Sequence, residues 1–93
     1  MKNNYLKQYF KNKKVLITGH TGFKGSWLSL LLYNFGAKLY GYSLKPEKNH
    51  LFQKANLHKI FVKSIYENIL NYRSLSNNLK NIKPQIVFHL AAQ

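Results

Sequence analysis

The chain has no cysteine and no aspartate, and only two glutamates, one arginine and two prolines among its 93 residues. The missing cysteines exclude a disulfide framework, a zinc-thiolate centre and a cysteine nucleophile together. Scarcity of acids leaves little for carboxylate chemistry: Glu47 and Glu67 fall in separate predicted loops, where solvation is their simplest role. No two histidines have metal-ligand spacing with an acidic or thiol partner, so no metal site is expected. No apolar run approaches the ~18 residues that cross a bilayer. The longest, Trp27 to Phe35, is broken by Ser29 and Asn34. The residues before Lys14 lack the apolar stretch of a signal peptide, so a cytoplasmic protein without a membrane partner is expected. Length excludes as well. This much chain makes one small domain with a thin core, too little for a complete two-domain enzyme.

What is abundant is lysine. Fourteen lysines and Arg73 against two glutamates give 15 − 2 = +13. Clustered cations bind polyanions by releasing counterions, but here the lysines are spread from Lys2 to Lys83 with no block longer than Lys13-Lys14. Arginine, the bidentate reader of phosphate and guanine, occurs once. Asparagine is as plentiful as aspartate is absent, with 11 copies. Lys, Asn, Ile, Tyr and Phe share A- and T-rich codons. Compositional drift therefore accounts for the charge more simply than a nucleic-acid partner, which is not expected.

Periodicity divides the chain into alternating elements. Val15-Leu16-Ile17-Thr18 reads as a buried strand entered through Lys13-Lys14 and stopped by Gly19. Helical spacing begins near Gly25 and runs through Trp27, Leu28, Leu30, Leu31, Leu32 and Phe35, with Gly36 as its C-terminal cap. Being apolar over most of its circumference, this helix is expected to be buried on more than one side, with Trp27 as a core residue. Lys38 to Ser43 is a second strand, Leu44 to Ala55 a loop containing at most a short helical piece, and Ile60-Phe61-Val62 a third strand. Asn68 to Ile82 forms a second long helix that stops before Pro84. Gln85 to Leu90 is a fourth strand, apolar enough to be buried on both faces.

Such alternation predicts an α/β fold: a Rossmann-type doubly wound parallel sheet of about four strands in the order 3-2-1-4. Residues 1–12 read as an N-terminal extension and residues 13–93 as a partial dinucleotide-binding domain. The end at Ala91-Ala92-Gln93, directly after an apolar strand, is expected to be an interruption, because it leaves that strand as an edge.

Between the first strand and first helix lies Thr18-Gly19-His20-Thr21-Gly22-Phe23-Lys24-Gly25. Gly19 lets the chain turn off the strand, Gly22 leaves room for a pyrophosphate, and Gly25 permits close packing of helix on sheet. The helix start then offers free N–H groups and partial positive charge to a diphosphate. The spacing is G-x-x-G-x-x-G, and no Gly-Lys-Ser/Thr follows at the distance that a Walker loop needs. At the end of the second strand, the acid that usually holds a ribose hydroxyl is replaced by Tyr42 and Ser43, both able to hydrogen-bond. That position does not distinguish NAD from NADP.

Val15 through Leu28 closely resembles the N-terminus of the CDP-glucose 4,6-dehydratase family, a branch of the extended short-chain dehydrogenases/reductases. So do Gly41-Tyr42-Ser43-Leu44, Asn49-His50-Leu51-Phe52 and Pro84 through Gln93. The most specific part is Lys24-Gly25-Ser26-Trp27, because the wider superfamily usually has an aliphatic residue at Lys24. The resemblance implies bound NAD, held by Gly19, Thr21, Gly22, Phe23, Lys24, Gly25, Ser43, Ser64, Leu90, Ala91 and Ala92. One departure stands out: family members carry Gly-Asp-Ile-Arg-Asp after strand three, with the first Asp on the adenine, where this chain has Lys63-Ser64-Ile65-Tyr66-Glu67.

For the full-length enzyme the resemblance implies a redox-neutral dehydration of CDP-glucose to CDP-4-keto-6-deoxyglucose. Extended short-chain dehydrogenases generally pair through helices that would lie beyond Gln93, so the resemblance allows a homo-oligomer of the full-length form without fixing the oligomeric state. That chemistry needs a Tyr-x-x-x-Lys pair. Tyr9 and Lys13 have this offset, but with 7 Tyr and 14 Lys about one such pair arises by chance, and it precedes the first strand. No catalytic residue is assigned, and the chain alone is expected to be inactive. His20 reads as stabilising the loop or lying beside phosphate; His89 as structural or alongside the cofactor. Two rival readings are another nucleotide-sugar dehydratase or epimerase, and a basic nucleic-acid-binding module.

Overall fold

A computed structural model describes residues 2–46 and 51–91. Its elements run α1 (Lys2–Phe10), β1 (Lys14–Thr18), α2 (Phe23–Asn34), β2 (Lys38–Ser43), α3 (Leu51–Lys54), a 3₁₀ turn (Leu57–Ile60), β3 (Phe61–Tyr66), α4 (Tyr72–Ile82) and β4 (Ile86–His89). The strands form one parallel sheet in the order β3-β2-β1-β4, as the sequence pattern predicts. Two successive crossovers step outward from β1 to β3, and the third returns past β1 to β4. With a constant hand of crossover, that reversal puts α4 on the opposite face from α2 and α3. The core is accordingly split. Val15, Ile17 and Leu39 face Leu32, Phe35, Phe52 and Phe61 on one side, while Leu16 and Tyr42 face Ile82, Leu75 and Leu79 on the other.

The central helix packs differently from the pattern-based expectation. Its buried residues are Gly25, Ser26, Ser29 and Leu32, a face of mainly small side chains that brings the helix close to the sheet. Both hydroxyls are satisfied locally, Ser29 donating to the Gly25 carbonyl at 2.6 Å and Ser26 to that of His20 at 3.1 Å. Trp27, expected in the core, is 54% exposed, and it joins Phe23 and Leu31 on an outward stripe. Only one side of α2 is buried. Gly36, at φ +84°, ends the helix: its N–H donates to Tyr33 O and that of Ala37 to Leu32 O, the paired bonds of a Schellman cap.

Three boundaries shift. β3 continues to Tyr66, so Lys63 and Ser64, read as following the strand, lie within it. The polar residues that hid this are those of an edge strand, exposed on one side, and a register irregularity leaves Val62 between the pairs Leu39–Phe61 and Tyr40–Lys63. α4 begins at Tyr72 instead of Asn68, because the Asn68 side chain accepts from Leu70 N in a tight turn and Asn71 caps the helix through Ser74 N. β4 is shorter than Gln85–Leu90 and, at the edge of the sheet, half-exposed, with Val87 49% accessible. Residues 2–10, read only as an extension, form α1. Phe10 stacks on Phe35 at 6.1 Å, and the Asn12 N–H donates to Gly36 O.

Candidate functional site

The loop from Gly19 to Gly22 leaves the C-terminal end of β1, the strand from which neighbours depart in opposite directions. In open parallel sheets this switch point opens a crevice between connections that diverge to the two faces. Gly19 sits at φ +80°, a conformation that disfavours a side chain. A Cβ there would also lie 2.8 Å from the backbone of Leu90 and Ala91, so the ends of β1 and β4 meet at this glycine. A Cβ on Gly25 would overlap the Gly19 carbonyl. Gly22 differs: a Cβ would meet nothing closer than the Gly19 carbonyl at 3.5 Å. The chain itself does not require glycine at position 22.

Gly22 precedes α2 in extended backbone and no side chain caps the helix start. The first-turn N–H groups of Phe23, Lys24 and Gly25 therefore carry the partial positive charge of the helix without an internal acceptor. Lys24 is exposed beside them. Such a start, backed by a loop with room at Gly22, suits the oxygens of a diphosphate.

The remaining side chains are tied to one another. Thr21 is buried, and its hydroxyl donates to the Leu44 carbonyl at 3.0 Å while lying 2.9 Å from Ser43 Oγ, which moors the loop to the end of β2. Ser43 thus reaches the crevice. Tyr42, given the same possible role from sequence, does not: it is fully buried on the α4 side and its hydroxyl has no partner among the described residues. Alternation along β2 points the two neighbours to opposite faces. Ser64 lies within 3.2 Å of His20 Nε2. Leu90 and Ala91 donate their N–H groups to Thr18 Oγ1. Gly19, Thr21, Gly22, Phe23, Lys24, Gly25, Ser43, Leu90 and Ala91 are thereby gathered at the C-terminal edge of the sheet, with Ser64 reached through His20. Ala92, and with it Glu47, Asn49 and His50, lies outside the described residues.

His20, read from the sequence as stabilising the loop or lying beside phosphate, is buried as a support beneath the loop. Its ring is inaccessible, edge-on to Phe52 and Phe61 at 5.2 and 4.8 Å and stacked on Tyr66 at 6.0 Å. It fills the space above Gly41, where any Cβ would run into the imidazole. Burial among aromatic groups disfavours the charged form and lowers its pKa from 6.5 to about 4. The Gly41–His20 pairing had a signal in the sequence, a glycine inside a strand, which marks close approach of another group.

Tyr9 and Lys13 are not arranged as a proton-transfer pair. The Lys13 ammonium lies over the face of the Tyr9 ring, 4.7 Å from its centroid, at the edge of the sheet opposite the glycine loop.

Residues 16–93 match the family model of GDP-mannose 4,6 dehydratase. The chain is 44% identical over 88 residues to a CDP-glucose 4,6-dehydratase from Salmonella typhimurium, a match covering 94% of this chain and 24% of that protein. Among solved structures, the epimerase Mth375 from Methanothermobacter thermautotrophicus superposes with a TM-score of 0.72 and 25% identity, over 98% of this chain and 26% of the epimerase. The chain spans about a quarter of the length of these relatives.

Proposed function

The chain belongs to the GDP-mannose 4,6 dehydratase family, and from that premise we propose that it is the dinucleotide-binding segment of a CDP-glucose 4,6-dehydratase-like enzyme. The observation that carries this reading is the uncapped start of α2 behind Gly22, at the switch point of the sheet. In the proposed complex the N–H groups of Phe23 and Lys24 hold the pyrophosphate of NAD. Gly22 leaves the approach open, and Gly19 and Gly25 fix the loop that aims those groups. Ser43 stands at the ribose of the adenosine half, Ser64 toward the adenine, and the backbone from Leu90 through Ala92 toward the nicotinamide half. NAD, when bound, supplies a hydride acceptor that can return the hydride later in the same turnover.

In the whole enzyme that chemistry would turn CDP-glucose into CDP-4-keto-6-deoxyglucose. This chain's part is to bind and orient. Its one Tyr-x-x-x-Lys pair, Tyr9 and Lys13, stands at the far edge of the sheet, so the chain alone is proposed to be inactive. The identity to a dehydratase favours dehydration over epimerisation, although the structural neighbour is an epimerase.

Titration with NAD followed by thermal unfolding tests the reading. Saturation at a hundredfold excess over Kd stabilises by about 2.7 kcal/mol, which in a domain of this size raises the midpoint by about 10 °C or more. CDP-glucose alone should give no shift and no turnover. A cooperatively unfolding sample whose midpoint ignores NAD would overturn the proposal.

A further inference from the structure

The lysines that are scattered in sequence converge in space. Each strand is entered through a lysine: Lys13 and Lys14 before and at the start of β1, Lys38 at the start of β2, Lys59 two residues before β3, and Lys83 three before β4. Because all strands are parallel, these entries share the N-terminal edge of the sheet, with Lys14 directly opposite Lys38 and the Gln85 N–H bonded to the Lys14 carbonyl. Strands lie ~4.8 Å apart, so entries on adjacent strands stand within the ~10 Å Debye length at 0.1 M salt and the fields of neighbouring lysines add. Lys14 is partly spent, its ammonium donating to the Ile82 carbonyl at the end of α4. Lys38, Lys59 and Lys83 are exposed and Lys13 partly so. The one carboxylate side chain among the described residues, Glu67, follows β3 at the opposite edge.

Aromatic rings adjoin this row. Tyr5 is 82% and Tyr9 55% exposed, one helical turn apart on α1, and with Lys13 they line an open groove. The apolar anchor of α1, Phe10, is turned inward onto Phe35. Beside Lys13, α1 presents the rings of Tyr5 and Tyr9 on either side of Leu6, itself 44% exposed, a surface on which bases can stack.

We propose that this edge binds single-stranded nucleic acid, with the lysine row on the phosphates and Tyr5 and Tyr9 as stacking surfaces for bases. Charge complementarity and interleaved aromatic rings are the two features that such surfaces combine. The site is independent of the glycine loop, which lies at the other edge.

Fluorescence anisotropy with labelled dT20 tests it on the intact chain. Lys38, Lys59, Lys83 and Lys13, whose ammonium rests on the Tyr9 ring, predict a slope of log K against log salt of about −3 when each neutralises one phosphate. The triple variant Lys13→Gln, Lys38→Gln, Lys83→Gln should bind at least tenfold more weakly with a slope near −1. The triple variant Lys45→Gln, Lys54→Gln, Lys63→Gln has the same net charge, 13 − 3 = +10, and should stay within about twofold of the parent. Tyr9→Ala should weaken binding by about fivefold or more, with far-UV circular dichroism unchanged in every variant. Equal losses in the two triple variants would reduce the effect to net charge and overturn the proposal. So would displacement of dT20 by NAD, binding of phosphatidylserine vesicles without binding of dT20, or an unaltered affinity in Tyr9→Ala.

Discussion

The hydroxyl of Thr18 lies 2.7 Å from Nδ1 of His89, joining the last residue of β1 to the last residue of β4. The same oxygen accepts the N–H groups of Leu90 and Ala91 at 3.1 and 3.4 Å. The Leu90 N–H is shared with the Thr18 carbonyl at 3.0 Å, and the hydroxyl and Nδ1 share one proton between them. Thr18 thus fixes the chain just where it passes Gly19. Thr18→Val keeps the shape but removes the oxygen, and should lower stability by about 1–3 kcal/mol in urea unfolding. Thr18→Ser should recover most of it.

His20 makes folding sensitive to acid. Its pKa is about 4 in the folded chain and 6.5 when free. Above pH 6.5 both states are neutral and the group contributes no pH dependence. Between 6.5 and 4 the unfolded chain binds the proton first, so stability falls with pH, by up to about 3 kcal/mol, and levels off below 4. In His20→Phe this slope should disappear from a series of urea midpoints taken between pH 7 and 4, whatever the absolute stability of the variant.

Gly41 and His20 should be energetically coupled. A methyl group at position 41 in β2 runs into the imidazole, so Gly41→Ala should cost about 1–3 kcal/mol by overpacking. In a His20→Ala background the same change should cost less or fill the space. A double-mutant cycle measures the coupling, expected above ~1 kcal/mol, and purely additive effects would rule out the packing account.

The strand order was legible in the sequence because strand and helix patterns alternate, which implies a parallel sheet with helices on both faces. Less legible was which side of α2 faces the sheet. Burial there follows the small residues Gly25, Ser26 and Ser29, and hydrophobicity points to Trp27 and Leu31, which face outward. Edge position hid the length of β3, since Lys63 and Ser64 look like loop residues until Tyr40 and Gly41 pair with them. At the candidate site, glycine spacing located the loop, but period-two alternation separating Tyr42 from Ser43 decided which hydroxyl reaches it. Convergence of Lys13, Lys38, Lys59 and Lys83 is a property of parallel topology and invisible to any scan for charge runs.

Tyr42 offers a test of that alternation. Its hydroxyl is enclosed on the α4 side without a partner among the described residues, and a buried unpaired polar group is unfavourable by about 1–3 kcal/mol. Tyr42→Phe should leave stability unchanged or raise it, and should not alter NAD affinity. A loss of stability would mean that the hydroxyl is satisfied after all.

The three loop glycines should respond differently to a single methyl group. Alanine at Gly19 or Gly25 strikes backbone, and with the positive φ at Gly19 both variants should lose stability by roughly 2 kcal/mol or more, dragging ligand binding down with the fold. Gly22 has an ordinary φ of −77° and ordinary van der Waals space for a Cβ, so Gly22→Ala should unfold within ~0.5 kcal/mol of the parent. Its methyl group would nonetheless occupy the approach to the first turn of α2. If the pyrophosphate of NAD binds there, Gly22→Ala should weaken NAD binding at least tenfold by calorimetry with the midpoint of the free protein unmoved. That combination separates a ligand requirement from a folding requirement, because only a bound group gives position 22 a reason to be glycine. An unchanged affinity would move the dinucleotide away from this loop.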